Sequence, residues 1–186
     1  LRQDFDGESC ISLGRFWDQA TETALWCKAI CENFAKNVTS DVAYITGLFH
    51  DCGIATMSMS YNDYVRVLEE ANQSDVVSLD MLERKSYPHD HCKLGAVISA
   101  SWNISDDVVD VIFNHHDVNY SSAQSDHYRQ ELWCLLRIAT EVTVLQRQRH
   151  HEPGWLEAKV TIMEILELSE EQLSEGIESL ISELCV

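Results

Sequence analysis

Val42-Ala43-Tyr44-Ile45-Thr46-Gly47-Leu48-Phe49-His50-Asp51-Cys52-Gly53 decides how this chain is read. Its first eight residues are apolar or small on every helical face, which suits a helix buried all round, and it ends in a polar His-Asp pair followed by glycine. Ser40 or Asp41 is placed to cap that helix, and Gly53 to let the chain leave it. A carboxylate and an imidazole at the tip of a buried helix need partners, because desolvating an unpaired charge costs several kcal/mol. Two later clusters offer them, His89-Asp90-His91 and His115-His116-Asp117. Five of the eight histidines lie in these three places.

Helical patterns extend in both directions from that stretch. Leu1 to Leu13 carries no clear pattern. Trp17, Ala20, Ala24, Cys27, Ile30, Cys31 and Phe34 recur at three and four, predicting an amphipathic helix over about Gly14 to Asn37. Beyond Gly53, helices are expected over Asn62 to Gln73, from Ser74 or Asp75 through Lys85 to a stop near Pro88, and over Asp90 to Trp102. In the last of these Leu94, Val97, Ile98 and Ala100 are expected to face inward, with Gly95 allowing a close neighbour. Ser105 has the N-cap position of a helix reaching His115, and Asn119 to Asp126 reads as a surface loop. A long helix follows from His127 to Arg149. Pro153-Gly154 breaks the chain before a helix over Trp155 to Leu168, and Ser169-Glu170-Glu171-Gln172 is a capping box for the last one. No segment alternates with period two, so the class is all-α.

The 186 residues suit one domain, with two prolines, seven glycines and no linker-like or repeated segment to divide them. The domain is expected to span 1–186, and the first residue, Leu1, suggests a piece of something longer. The net charge of −18 argues against nucleic acid and anionic membranes as partners. No apolar run is long enough to span a membrane. The seven cysteines, Cys10, Cys27, Cys31, Cys52, Cys92, Cys134 and Cys185, include no Cys-x-x-Cys pair, so they read as reduced thiols of a cytoplasmic protein. Cys27 and Cys31 are spaced to share a metal but have no second pair. From Val160 onward there are seven Glu and no Lys or Arg, which reads as a solvated acidic face.

The histidines matter through their positions. His50-Asp51 closes one helix, His91 opens another and His115-His116 closes a third. If those ends converge, imidazoles and a carboxylate share one pocket suited to zinc, iron, manganese or nickel, with Asp90 or Asp117 available to orient the rings. Lys93 and Arg137 lie near these motifs and could face an anionic ligand, although solvated charge is the default. No nucleophile elbow, P-loop or dinucleotide fingerprint is present, and there is no Glu-x-x-His pair of the kind a di-iron bundle needs.

Gly47-Leu48-Phe49-His50-Asp51-Cys52-Gly53, then Asp90-His91-Cys92-Lys93-Leu94-Gly95-Ala96, then Trp102-Asn103-Ile104-Ser105 leading to Val111-Ile112-Phe113-Asn114-His115-His116, together resemble an HDOD domain. This HD-related output domain is a branch of the HD superfamily of metal-dependent phosphohydrolases. The resemblance covers about residues 16–144 and implies an HD-type helical bundle; 145–186 would be its C-terminal helices, and the family's usual N-terminal helices are expected to be missing. It also implies metal ligands at His50, Asp51, His91, His115 and His116. HD hydrolases add an early histidine and a late aspartate. In Phe16-Trp17-Asp18-Gln19-Ala20 the early position falls on Gln19, with Asp18 one residue away, and in Leu135-Leu136-Arg137-Ile138-Ala139-Thr140 the late one falls on Thr140. Two ligands are thereby lost. The resemblance therefore implies a signalling output or regulatory domain that no longer catalyses, working as scaffold or sensor. It would have protein partners, at most one divalent ion and room for a nucleotide or small anionic ligand. The alternative is an active phosphohydrolase or cyclic-dinucleotide phosphodiesterase using Asp51 and His50.

Overall fold

The computed structural model describes residues 9–74, 76–120, 126–147 and 151–184. These form ten helices and, among the described residues, no strand: α1 Leu13–Phe34, α2 Ser40–Phe49, α3 Cys52–Ser60, α4 Tyr64–Asn72, α5 Leu79–Ser86, α6 His91–Ser101, α7 Asp106–Asn114, α8 His127–Gln146, α9 Trp155–Leu166 and α10 Glu170–Leu184. The all-α expectation holds. At the centre is α8, buried without a break from Glu131 to Thr143 and packed on α1, α2, α7 and α9. Its apolar side chains form the axis of the core, and its buried charges, Glu131, Arg137 and Glu141, each have hydrogen-bond partners. Trp133, Leu135 and Ile138 meet Ile30, Ile112 and Ile162 there.

Two close helix crossings position the pocket. At the first, α1 lies against α2 so tightly that a Cβ on Gly47 would come within 2.7 Å of Cys27 Sγ and 2.8 Å of the Ala24 Cα. At the second, α3 lies against α6, and a Cβ on Gly53 would be 2.0 Å from the carbonyl oxygen of His91.

Gly53 therefore does not release the chain from α2. The corner is one residue pair earlier, with His50 as the C-cap and Asp51 at φ −104°, ψ 10°, after which Cys52 starts α3. Sequence reasoning missed this helix because its apolar residues, Cys52, Ile54, Ala55, Met57 and Met59, form no single stripe at helical spacing. The inner face of α6 also differs from expectation. Cys92, Gly95, Ala96 and Ser99 are buried, whereas Val97 is 61% exposed and Ala100 is exposed. Helices this close admit only small residues between them, so the larger apolar ones are displaced to the flanks, where Leu94 and Ile98 are half-buried.

Other boundaries follow local chemistry. Ser12 caps α1 by accepting from the Arg15 amide, and Asp90 caps α6 by accepting from the Lys93 amide at 2.8 Å. α5 starts at Leu79 behind Ser78. Ser74, expected as its cap, instead accepts from Val76 and Val77 in a turn, and Asp75 lies outside the described residues. The last capping box is reciprocal: Gln172 N donates to Ser169 Oγ at 3.1 Å and Ser169 N to Gln172 Oε1 at 2.8 Å. Residues 121–125 of the expected loop and the Arg149 end of the long helix lie outside the described residues, as do Leu1 to Glu8. No described helix is long and apolar enough to cross a membrane. The six described cysteines are free. Cys31 donates to the Val38 carbonyl at 3.3 Å, which gives it a partner within the fold.

Glu131 on α8 ties down the connection from α1 to α2. Its carboxylate accepts from the amides of Lys36, Asn37 and Val38 at 2.7, 2.9 and 3.2 Å and from Asn37 Nδ2 at 2.8 Å. Burial raises its pKa, but these donors hold the carboxyl below its ordinary value. A lowered pKa stabilises the fold above the unfolded value of about 4.3, and that contribution disappears as pH falls through the folded value. Glu131→Ala is expected to cost about 2 kcal/mol in urea unfolding at neutral pH, a deficit that shrinks as pH drops below about 4. Gly53→Ala, which forces a methyl group onto the His91 carbonyl, is expected to lose at least about 3 kcal/mol in the same measurement.

Candidate functional site

Three helix ends converge as expected. His50 ends α2, Asp51 is the corner before α3, His91 is the first residue of α6, and His115 caps α7 with His116 next to it. Ring centroids are 5.6 Å apart for His50 and His115, 5.3 Å for His91 and His115, 5.1 Å for His91 and His116, and 4.1 Å for His115 and His116. His89, the fifth histidine of the motifs, is exposed.

Each helix end also sets its ring. His50 Nδ1 donates to the Gly47 carbonyl and His115 Nδ1 to the Ile112 carbonyl, both at 2.7 Å. A carbonyl can only accept, so Nδ1 is the donor in both bonds and Nε2 is left to face the pocket. The Nε2 atoms surround Asp51: His50 Nε2 is 3.1 Å from Oδ2, and His91 Nε2 and His115 Nε2 are each 3.6 Å from Oδ1. His116 Nε2 lies 3.2 Å from His91 Nε2.

Glu83 of α5 holds His91. Fully buried, it accepts the His91 amide at 2.8 Å and the ring Nδ1–H at 2.6 Å through one oxygen, and the Tyr64 hydroxyl through the other. Burial, together with the Glu83 charge, pushes the Tyr64 hydroxyl's pKa far up, so it remains a donor. The orienting role expected of Asp90 or Asp117 thus belongs to Glu83. Asp90 is taken by its helix cap and by Arg84 at 2.7 Å, while Asp117 is exposed and accepts from the Asn119 amide. The sequence does carry a signal for Glu83: it falls one helical turn after Leu79 and next to Leu82, as an acid on the apolar stripe of an amphipathic helix.

The electrostatics couple these groups. Burial would raise the Asp51 carboxyl, but His50, His115 and His91 hold it well below the carboxylate range. His116 is driven well below its ordinary value by burial and by the neighbouring His115 and His91, which keeps its ring neutral. Burial alone would raise the Cys92 thiol, yet the facing His91 and His115 bring it down to about 7. Burial opposes the charge on His115, but Cys92 and Asp51 pull it up to about 10.

A cleft of about 500 Å³ opens onto this cluster, and Gln19 and Thr140, the positions expected to have lost a ligand, line it together with His50, Asp51 and His116. Asp18 is exposed and does not line the cleft. Thr140 Oγ1 lies 3.1 Å from both the Arg137 carbonyl and Glu152 Oε2. Arg137 is not a solvated charge: it is 1% exposed, and its guanidinium donates to Glu152 at 2.8 Å and to the Pro153 carbonyl at 3.3 Å. Lys93 is exposed. Arg15 and Arg147 bring positive charge to the cleft wall, the latter paired with Glu22 at 2.5 Å, and neither belongs to a motif that would have drawn attention to it.

The donor set discriminates between two places for an ion. Nitrogen or oxygen ligands about 2.1 Å from a common centre stand about 3.0–3.5 Å apart. Asp51 at 3.6 Å from both His91 and His115, and His116 at 3.2 Å from His91, have spacings that fit one divalent cation. Moreover, buried His115 Nε2 has no hydrogen-bond partner. On the other side of Asp51 a second ion would find His50, a Gln19 amide and a Thr140 hydroxyl. Neutral oxygens of this kind do not fit a dication that must bring a phosphate and a water together.

The family model for the HDOD domain matches residues 2–118. The chain belongs to the HDOD family. The matched span begins and ends earlier than the motif-based 16–144. Among solved structures, an HDOD domain protein from Geobacter sulfurreducens superposes with a TM-score of 0.73 at 19% identity, covering 96% of this chain and 62% of its own. A protein named as a candidate phosphohydrolase from Shewanella amazonensis gives 0.63 at 17% identity, covering 91% and 61%. The MmoQ response regulator from Methylococcus capsulatus gives 0.59 at 17%, covering 90% and 62%. At these identities the likeness is one of fold. The chain spans under two thirds of the length of these HDOD-like structures, and its 107-residue match to an uncharacterized Treponema pallidum protein, 22% identical, covers 58% of this chain and 21% of that protein.

Because Glu83 fixes the tautomer and direction of His91, Glu83→Gln is expected to weaken divalent-ion binding by about 10–100-fold in chelator competition. The His91 Nδ1–H proton resonance should shift in the same variant.

Proposed function

We propose that this HDOD domain is a regulatory module of bacterial signal transduction whose HD-type cleft binds a divalent ion or small anionic ligand without hydrolysing it. The observation that carries this reading is Thr140. Where a hydrolase would offer a carboxylate, a hydroxyl faces the cleft, and the nearby negative charge, Glu152, is neutralised by Arg137. Gln19 opposite is equally neutral. A phosphoryl transfer assisted by two cations needs charge on both sides of the bridging carboxylate, and here only the His91, His115 and His116 side supplies a strong ligand set.

The reading has support from the cleft, whose volume of about 500 Å³ is in the range of small-ligand sites and whose wall carries Arg15 and Arg147. It is also supported by the names of fold neighbours, one of which is a response regulator. In this role Asp51 stays ionised to hold the cation, His50 keeps Asp51 in place, and the neutral ring of His116 is ready to ligate. When bound, the cation would supply positive charge for an anionic ligand in the cleft. The output passes to a protein partner in the cytoplasm.

Protein purified without chelator is expected to contain up to one equivalent of divalent metal. With added manganese, it should turn over neither bis-p-nitrophenyl phosphate nor cyclic di-GMP faster than the Asp51→Asn variant does. Turnover abolished by Asp51→Asn would replace this reading with that of an active phosphohydrolase.

A further inference from the structure

Cys92 lies within the same cluster, and neither the family motif nor the ligand set above assigns it a role. Its Sγ is 3.5 Å from His91 Nε2, and Sγ with the ligand nitrogens of His91, His115 and His116 forms a group in which every separation is within 4.8 Å. Cys92 is 1% exposed, His91 fully buried and His115 1% exposed. The Nδ1–H of His91 donates to Glu83, and on the other side of the ring both the Cys92 thiol and His116 Nε2 approach His91 Nε2. His115 Nε2 makes no hydrogen bond. Four potential ligand atoms thus converge in one buried place.

A common centre suits that convergence. At ordinary zinc bond lengths and near-tetrahedral angles, nitrogen ligands stand about 3.3 Å apart and a sulfur stands about 3.6 Å from a nitrogen. His116 and His91 are 3.2 Å apart at Nε2, and Cys92 Sγ is 3.5 Å from His91 Nε2. We propose that Cys92 joins Asp51, His91, His115 and His116 as a ligand of that ion, making this a mixed thiolate, imidazole and carboxylate centre. The inference rests on the metal-binding reading above and deepens it. As the sulfur bonds to the ion, the thiol proton leaves to solvent. A thiolate softens the donor set, so the site prefers zinc or iron(II) over manganese and magnesium, which favour oxygen ligands. Cys52, the other buried thiol of this region, is directed away, towards the Gly95 carbonyl at 3.6 Å.

Cobalt(II) added to the chelator-stripped full chain tests this directly. Binding of one equivalent with a sulfur-to-cobalt charge-transfer band in the near ultraviolet, lost in Cys92→Ser and kept in Cys52→Ser, is the expected result. Visible cobalt bands without the near-ultraviolet band would overturn the role of Cys92 and leave the histidine site standing. Absence of any cobalt or zinc binding would overturn both. Should Cys92→Ser fail to fold, X-ray absorption of the zinc-loaded wild-type protein decides, since a sulfur shell at about 2.3 Å beside nitrogen at about 2.0 Å is required.

Discussion

The contact between Gly53 and the His91 carbonyl is the constraint on which the pocket depends. It brings the start of α6 to the corner between α2 and α3, so His91 meets Asp51 without either residue reaching out on a long side chain. The inner face of α6, from Cys92 through Gly95 to Ser99, is small for the same reason, and Gly95 in turn accepts Ile112 of α7 at contact distance. That second approach delivers the end of α7, and with it His115 and His116. Two glycines thus set the distances among three helix ends. The imidazoles are placed by backbone packing, which is far stiffer than rotamer preference.

Packing alone does not keep so many polar groups buried together. Each ring is held by a fixed acceptor on its far side: a helix-terminal carbonyl for His50 and His115, a carboxylate for His91. Orphan carbonyls exist at every helix C-terminus, so ending α2 and α7 in histidine uses acceptors that would otherwise need water. Glu83 is the costlier device, a fully buried carboxylate, and it is tolerable because an amide, a ring N–H and a phenol all donate to it.

Much of this was legible in the sequence. The His-Asp pair at the tip of an apolar helix, His91 after its Asp90 cap and the paired histidines after Ile112 could be read as helix ends, and chain order supplied their convergence through the family resemblance. Gly47 and Gly53 could not be read the same way. A glycine that marks a crossing looks, in one dimension, like one that ends a helix, and the difference lies in a partner 38 residues away in the case of Gly53 and His91. α3 was lost along with it, since Gly53, taken as the exit from α2, lies inside α3, whose Ile54, Met57 and Met59 form no single stripe. Glu83 was missed because its bonds to His91 and Tyr64 follow no local spacing rule. What betrays it is its place on an apolar stripe, where a charge has to be explained.

The two sides of Asp51 differ in how their polar groups are satisfied. Beside Thr140, the hydroxyl, Glu152 and Arg137 form a set in which the carboxylate is already neutralised by a buried guanidinium, so a cation entering there would have to displace an existing ion pair. On the other side, His115 Nε2 has no hydrogen-bond partner, and the nitrogens of His91 and His116 face one another across 3.2 Å. An unsatisfied buried acceptor costs about 1–3 kcal/mol, a standing penalty that a bound cation would relieve. Arg137 Nε is also left without a hydrogen bond, but a guanidinium nitrogen offers an entering cation no ligand. The asymmetry does not rest on Gln19 and Thr140 alone: the space beside Thr140 is filled by an ion pair, while the ring nitrogens of the histidine cluster are directed at a common point.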